Sequence, residues 1–256
     1  MLSKRILNAI LVLGLASLLI LCGTVYAPRL ISVSNTSGSR KLPIYCVETD
    51  KPQIAISFDS AWGNEYTQTL LDILASHNVK ATFFMTGQWV EKFPEEVVKI
   101  YEAGHDLGNH SESHPYMSKL GEAEQIQELM AVHNRVKELT GYEMFLFRAP
   151  YGDYNDEVIS CVQECGYYPI QWDVDSLDWK DYGAQDIIKR ITENKKLGNG
   201  SIILCHNGAK YITDALDTVL TALQDKGYEF VPVSQLIYKD HYYLNHEGRQ
   251  IPENDT

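Results

Sequence analysis

Groups of polar residues follow five short apolar stretches of the chain, and each group holds side chains that can bind a metal ion or transfer a proton. In chain order they are Asp59-Ser60, His110-Ser-Glu-Ser-His114, Arg148-Ala-Pro-Tyr151-Gly, Asp175-Ser-Leu-Asp178-Trp179 and His206-Asn-Gly. If the apolar stretches are parallel strands, their carboxyl ends open on one face of a sheet or barrel. Five loops then bring titratable groups to a single rim, which predicts a catalytic or binding site.

Several of these residues have two interpretations. Asp59 ends the stretch Gln53–Phe58, where sheets and barrels carry reactive groups, but an Asp there can also cap the next helix. Arg148 could be a surface residue, whereas the rigid Pro-Tyr-Gly turn after it suits a side chain directed inward. Tyr151 and Trp179 could form platforms for a sugar or simply pack at the rim.

The histidines are the candidate metal ligands and proton carriers. His110 and His114 are four residues apart, so a helical turn would direct both imidazoles toward one divalent ion; two exposed loop histidines are the alternative. His206 follows the apolar Ile202–Leu204 directly, which indicates a strand end and a functional role rather than a satisfied core histidine.

Charge and cysteine usage exclude some classes of protein. The formal net charge is −12 and the pI is about 5.1, with no basic run beyond the extreme N-terminus, so nucleic acid is not an expected partner. The five cysteines are odd in number and sparse, which does not fit a disulfide framework or a structural zinc site. No feature of the sequence indicates a protein partner.

The N-terminus has the composition of a membrane segment. Lys4-Arg5 precede an almost uncharged run to about Tyr26, and about 20 apolar residues cross a bilayer. Pro28, just after a small-residue pattern, favours an uncleaved single-pass anchor over a cleaved signal that would leave the protein secreted. We therefore expect residues 1–27 to be the anchor or signal, 28–50 a linker, 51–239 an extracytoplasmic domain at the cell membrane, and 240–256 a polar tail.

Alternating strand and helix patterns fill residues 51–239. Repeated strand–helix units predict a parallel sheet covered by helices, and seven or so strands could close into a barrel. Residues 51–239 are fewer than the roughly 200–250 that eight complete units need. The predicted fold class is therefore α/β, a distorted and incomplete (β/α) barrel.

The five polar groups, in this order, resemble the motifs of the polysaccharide deacetylases, the NodB-homology domains of carbohydrate esterase family 4. Ser57-Phe-Asp-Ser60 is similar to that family's Thr-Phe-Asp-Asp, and the two-histidine and Arg-Ala-Pro-Tyr groups to its second and third motifs. Asp-Ser-Leu-Asp-Trp and Leu204-Cys-His206 resemble the last two. The resemblance spans roughly residues 51–236, and Ala-Trp-Gly after Ser60 resembles the PdaB-like branch of spore-forming bacteria.

The resemblance implies metal-dependent removal of N-acetyl groups from glycans, with the peptidoglycan of the cell wall as the expected substrate. It assigns Asp59 as the general base, oriented by Arg148, and His206 as the acid that protonates the leaving amine, with Asp178 tuning its charge. Amide hydrolysis needs an activated water, an electrophilic stabiliser and a proton donor, so these roles are chemically coherent.

The remaining roles concern the metal and the acetyl pocket. The resemblance implies that His110 and His114 bind zinc, or cobalt or a similar ion, and that the backbone N–H of Tyr151 stabilises the oxyanion. Leu204 and Trp179 would line the acetyl pocket.

Ser60 departs from the family pattern, because the second Asp of the first motif is a metal ligand there. A neutral hydroxyl is a poorer ligand than a carboxylate, so metal affinity should fall. Water could fill the place, a different metal could be used, or the site could be catalytically weak. A glycan-binding homologue with little or no activity is therefore the alternative function.

Overall fold

The computed structural model describes residues 34–35 and 40–253. The predicted anchor or signal, residues 1–27, lies outside this part of the chain. Among the described residues, none of the helices combines the length and the apolar character needed to cross a membrane.

The described residues alternate between strands and helices. The strands are β1 (Ser34–Asn35), β2 (Cys46–Val47), β3 (Gln53–Ser60), β4 (Thr82–Met85), β5 (Asp106–Asn109), β6 (Leu146–Phe147), β7 (Tyr168–Pro169), β8 (Val174–Asp175), β9 (Ile202–His206), β10 (Glu229–Phe230), β11 (Tyr242–Leu244) and β12 (Arg249–Pro252). The helices are α1 (Thr67–Ser76), α2 (Gly87–Lys92), α3 (Pro94–Glu102), α4 (Glu122–Thr140), α5 (Asp156–Glu164), α6 (Ala184–Thr192), α7 (Ile212–Asp225) and α8 (Val233–Leu236).

Eight strands form one curled sheet, an open half-barrel. Their order is β7-β6-β5-β4-β3-β9-β8, with β10 paired to the first residues of β3, and every pair is parallel. The predicted α/β fold with a distorted, incomplete (β/α) barrel is confirmed. Because all the strands run the same way, their carboxyl ends meet on one rim.

The central strand β3 is buried on both faces. Ile54, Ile56 and Phe58 belong to the larger apolar cluster, which also contains the buried faces of the helices, whereas Ala55 belongs to a second cluster. Side chains alternate along a strand, so the face that carries Ala55 also carries Asp59. The core thus directs Asp59 to the inside of the half-barrel.

Local sequence signals mark where helices begin and end. The N–H of Gly121 donates to Oε2 of Glu124 (2.9 Å) at the start of α4, and Gly141, with φ of 74°, ends that helix. Asn155 caps α5, since its Oδ1 accepts the N–H of Val158 at 2.9 Å.

A second, four-stranded sheet has the order β1-β11-β12-β2. The sequence pattern does not indicate this sheet, since it predicts a linker in residues 28–50 and a polar tail in residues 240–256. Tyr242, Leu244 and Gln250 are buried in it, and only His246 and Glu247 between them are exposed. Strands of two to four residues are too short to stand out as apolar stretches, which is why the pattern missed them.

The segment 44–47, which contains β2, crosses the opening of the half-barrel, and we call it the seam strand. At one end the N–H of Ile44 donates to the carbonyl of Pro169 in β7 (2.8 Å). At the other the N–H of Val47 donates to the carbonyl of Gly200, just before β9 (2.9 Å). The seam strand therefore ties one edge of the parallel sheet to the start of another strand.

Candidate active site

A cavity of about 520 Å³ opens at the carboxyl ends of the parallel strands. Residues from each of the five polar groups line it, among them Asp59, His114, Tyr151, Trp179 and His206. The prediction that the five loops share one rim is confirmed by this arrangement.

Asp59 is a buried carboxylate paired with a buried arginine. Its Oδ1 accepts from Nη1 of Arg148 at 2.7 Å, and both side chains are shielded from solvent. Burial alone would raise the pKa of Asp59, but the charge of Arg148, with smaller contributions from His110 and His206, holds it below its ordinary value. Asp59 is therefore an ionised acceptor at neutral pH and not a helix cap.

Arg148 is fully buried, which excludes the interpretation as a surface residue. Its Nη2 donates to the carbonyl of Gln171 (3.1 Å), and its guanidinium lies 4.1 Å from the ring centroid of Phe84 and 5.5 Å from that of Trp172. Aromatic faces on a guanidinium add to its fixation. Arg148 thus holds the Asp59 carboxylate in one orientation.

His110 directs an unprotonated nitrogen at Asp59. Its Nδ1 lies 2.7 Å from the backbone carbonyl of Arg148, and a carbonyl can only accept, so Nδ1 carries the proton. Nε2 then presents a lone pair at 3.5 Å from Oδ2 of Asp59. Burial lowers the pKa of His110, which keeps it neutral. Two acceptors that face each other suit a cation bound beside them.

His114 reaches the same place by a different route from the expected helical turn. The segment 110–114 is not helical, and the left-handed φ angles of Ser111 (65°) and His114 (59°) fold it back instead. The two imidazole centroids are 4.9 Å apart, and burial lowers the pKa of His114 to about 4. Backbone strain of this kind is concentrated at functional sites. The convergence of the two imidazoles is as predicted, but the helical turn is wrong.

Ser60 completes the predicted ligand set poorly. It is fully buried, and its Oγ has no hydrogen-bond partner in the part of the chain that the structure describes. In that same part, no three or more His, Cys, Asp or Glu side chains could together hold a metal ion. The residues therefore fit a divalent ion as two imidazole ligands with an orphaned hydroxyl beside them, a donor set suited to weak binding.

His206 forms the second charged pair of the cavity. Its Nδ1 lies 2.7 Å from Oδ1 of Asp178, and its backbone N–H donates to Oδ2 of the same carboxylate at 2.7 Å. Burial alone would lower the pKa of His206, but the hydrogen bond and charge of Asp178 outweigh it and raise that pKa. His206 is therefore disposed to carry a proton, with Nε2 free for a ligand.

Aromatic and apolar residues complete the rim. Leu204 is buried at the wall, whereas Trp179 and Tyr151 are more than half exposed. Tyr151 has a left-handed backbone (φ 60°), and its ring packs on His114 with centroids 4.5 Å apart. All three residues expected at the substrate pocket lie there.

Three residues of the site were not singled out from the sequence as site residues. Trp62 and Trp172 line the cavity, and Gln171 holds Arg148 through its backbone carbonyl. Trp62 had a signal, since it lies three residues after Asp59 on the same loop. A backbone carbonyl leaves no trace in residue type, so Gln171 could not be found.

Comparison with known proteins shows the class. A family model described as polysaccharide deacetylase matches residues 47–170. A peptidoglycan-N-acetylglucosamine deacetylase of Bacillus cereus is 36% identical over 194 residues, which cover 73% of this chain and 69% of that protein. The chain belongs to the polysaccharide deacetylase family, carbohydrate esterase family 4. Deacetylases of this family generally use a divalent metal.

Two further similarities are informative. The uncharacterized protein YlxY of Bacillus subtilis is 35% identical over 195 residues, and the match covers 76% of this chain but only 60% of that protein. The crystal structure of a CE4 family pseudoenzyme from Bacillus anthracis matches with a TM-score of 0.74 and 31% identity, covering 82% of this chain and 73% of that one. A mutant of that pseudoenzyme has restored enzymatic activity. The family thus includes members with and without catalysis.

Proposed function

We propose that this protein is a metal-dependent deacetylase that hydrolyses N-acetyl groups of amino sugars in cell-wall peptidoglycan. The observation that carries the proposal is the presence of two hydrogen-bonded pairs of ionisable side chains at one cavity, the buried Asp59–Arg148 and the part-buried Asp178–His206. Binding a glycan requires neither a base nor an acid, whereas amide hydrolysis requires both.

The two pairs shift the pKa values of Asp59 and His206 in opposite directions, as acid–base hydrolysis requires. The pKa of Asp59 is lowered, which favours a carboxylate that can accept a proton, and that of His206 is raised, which favours an imidazolium that can donate one. Asp59, oriented by Arg148, would take the proton of the attacking water. His206, oriented by Asp178, would protonate the amine as it leaves.

Three other residues would bind the acetyl group. We assign the backbone N–H of Tyr151 to the developing oxyanion, and Leu204 and Trp179 to the walls around the acetyl methyl. These assignments are supported by the position of all three residues on the cavity.

His110 and His114 would hold the divalent ion, zinc or cobalt, with Ser60 or a water in the third place. Such an ion, when bound, polarises the carbonyl and acidifies water. Because a neutral hydroxyl replaces a carboxylate, we expect weak metal binding, so that the rate increases as the metal concentration is raised.

The decisive experiment is acetate release from N-acetylated peptidoglycan and chito-oligosaccharides, with and without added zinc or cobalt. We expect slow release that rises with metal and is lost in Asp59→Asn, while Ser60→Asp shows a higher rate at low metal. No release from the parent at any metal concentration would contradict the proposal, whatever the result for Ser60→Asp.

A second candidate function is glycan binding with little or no turnover. The orphaned Ser60 hydroxyl and the structural likeness to a pseudoenzyme favour it. It predicts that the parent binds oligosaccharide and releases no acetate, while Ser60→Asp gains activity. The two candidate functions therefore predict different acetate release by the parent protein, whereas both predict activity for Ser60→Asp.

We further propose that the domain acts outside the cytoplasmic membrane, attached by residues 1–27, and that it belongs to a PdaB-like branch with a role in sporulation. Its support is the apolar run near the N-terminus and the Ala-Trp-Gly motif. Fractionation of cells expressing the full chain, followed by protease treatment of intact protoplasts, tests the location: a protected, cytoplasmic domain would contradict it.

A further inference from the structure

Trp62 is a large aromatic residue at the cavity that has no role in the proposed hydrolysis. It lies on the loop after β3, lines the cavity and leaves 43% of its surface exposed. Its indole packs on the imidazole of His206, with ring centroids 5.2 Å apart and the planes 31° from parallel. A flat apolar surface is thus presented to solvent directly beside the proposed proton donor.

The position of Trp62 is fixed from both sides. Its Nε1 donates to the carbonyl of Gly208 (3.1 Å), and a Cβ at Gly208 would lie 2.4 to 2.6 Å from the Trp62 carbonyl and indole. The two loops are also joined where Nδ2 of Asn207 donates to the carbonyl of Gly63 (3.3 Å). Gly208 therefore leaves the space that Trp62 occupies, and the exposed indole face has little freedom to turn away.

Exposed aromatic residues are concentrated at this cavity. Among residues 40–253, seven large apolar side chains are exposed; Trp62, Tyr151 and Trp179 line the cavity, and Tyr116 stacks on Tyr151 at 4.3 Å. The other three do not line it. Isolated exposed apolar residues are normal on a surface, but four at one opening mark a binding surface.

We propose that Trp62 is a substrate-positioning residue, which stacks its indole on a pyranose ring of the glycan and so places the scissile amide beside His206. The inference rests on the proposed function for the identity of the ligand. A pyranose presents an uncharged face of C–H groups, which suits the electron-rich face of an indole, and Trp offers the largest such surface. A sugar seated there would also cover the exposed indole.

Two variants of similar volume test the proposal, because only one keeps a flat ring. Trp62→Phe and Trp62→Leu both lose the hydrogen bond to Gly208, so the difference between them isolates stacking. The probe is tetra-N-acetylchitotetraose, with affinity measured by calorimetry and KM and kcat from acetate release. We expect Trp62→Leu to weaken binding and raise KM about tenfold or more, and Trp62→Phe to stay within about threefold of the parent.

Two controls complete the design. Tyr101→Leu removes an exposed aromatic that does not line the cavity and should leave affinity unchanged. Gly208→Ala should displace the indole and weaken binding as Trp62→Leu does. Circular dichroism confirms that each variant is folded.

The binding measurement separates this inference from the proposed function. Equal affinities of the Phe and Leu variants, or no binding of the oligosaccharide by the parent, would overturn the role of Trp62. If the parent binds the oligosaccharide but releases no acetate, and the Phe and Leu variants differ in affinity as expected, Trp62 is a glycan-binding residue and the proposed deacetylase activity is wrong.

Discussion

Asp59 and His206 lie on one cavity, yet their neighbours drive their pKa values in opposite directions. Burial disfavours the charged form of both side chains, and each is paired with a buried partner of opposite charge that outweighs the burial. The partner, and not the depth of the site, therefore sets the protonation state. Removing a partner should change stability and titration in a direction that can be worked out for each pair.

Replacing Arg148 by Met should destabilise the protein by about 3–5 kcal/mol at pH 7, since it leaves the Asp59 carboxylate buried and unpaired. In the parent, the lowered pKa of Asp59 contributes stability above its unfolded pKa of about 3.9, and that contribution is lost as pH falls. In the variant burial outweighs the smaller contributions of His110 and His206, so the pKa of Asp59 rises and stability falls as pH increases. Urea denaturation at pH 4.5 and 7 should show the gap between the proteins widening with pH.

The matched control is the double variant Arg148→Met/Asp59→Asn, in which no buried charge remains. It should recover part of the loss at pH 7 and show no widening of the gap. A single variant with the same loss at both pH values would show that Arg148 does not control the ionisation of Asp59.

Asp178→Asn should lower the pKa of His206, because an amide keeps an acceptor for the His206 backbone N–H but removes the charge. In the parent the raised pKa contributes stability below about pH 6.5, the unfolded value, and this is lost as pH rises through the folded value. NMR titration of the imidazole C–H signals measures the change directly. His77, paired with Asp217 outside the cavity, should titrate alike in both proteins; an unchanged His206 would show that Asp178 does not control it.

At this scale the sequence carried most of the information. The five motifs brought Asp59, Arg148, Asp178 and His206 to notice, and the structure joins them in two hydrogen-bonded pairs. What spacing could not show was the backbone of His114, whose positive φ replaces the helical turn. Nor could residue type reveal a donor–acceptor contact with a carbonyl, such as that of Gln171.

At the scale of elements, the alternating strand and helix patterns of residues 51–239 predicted the parallel sheet and its covering helices. The apolar stretch Gln53–Phe58, for example, lies in β3. The short strands β2, β8, β11 and β12 were missed, because two to four residues are too few for a period. These strands are specified by pairing with distant parts of the chain rather than by a local sequence pattern.

Gln250→Ala tests the importance of the terminal hairpin, β11 and β12. The buried side chain of Gln250 accepts from the N–H of Tyr238 (2.8 Å) and donates to the carbonyl of the same residue (2.6 Å). Truncation leaves both backbone groups without a partner and should cost about 1–3 kcal/mol in the free energy of unfolding. Glu247→Ala, at an exposed position of the same hairpin, should stay within about 0.5 kcal/mol by the same denaturation assay. Equal losses would mean that the hairpin is not held by this contact.

At the scale of the whole molecule, metal binding should appear as thermal stability. A ligand that binds only the folded state stabilises it by about 2.7 kcal/mol at a hundredfold excess over its Kd. With zinc at a fixed concentration, the rise in Tm should be small for the parent, larger for Ser60→Asp and absent for His110→Ala. The same rise in parent and Ser60→Asp would show that Ser60 does not limit affinity.

The seam strand also determines how late in synthesis the domain can finish folding. Residues of β2 pair with β12, near the other end of the described chain, and the segment around them also contacts the start of β9. A ribosome delivers the chain from its N-terminus, so the edge of β2 that pairs with β12 must wait until Arg249 has emerged, even though residues 169–171 and 200–201 are available earlier. Contacts so distant in sequence slow folding. A chain cut short before the hairpin would leave β2 without its β12 partner and expose an open pairing edge, the feature by which unfinished β structure aggregates.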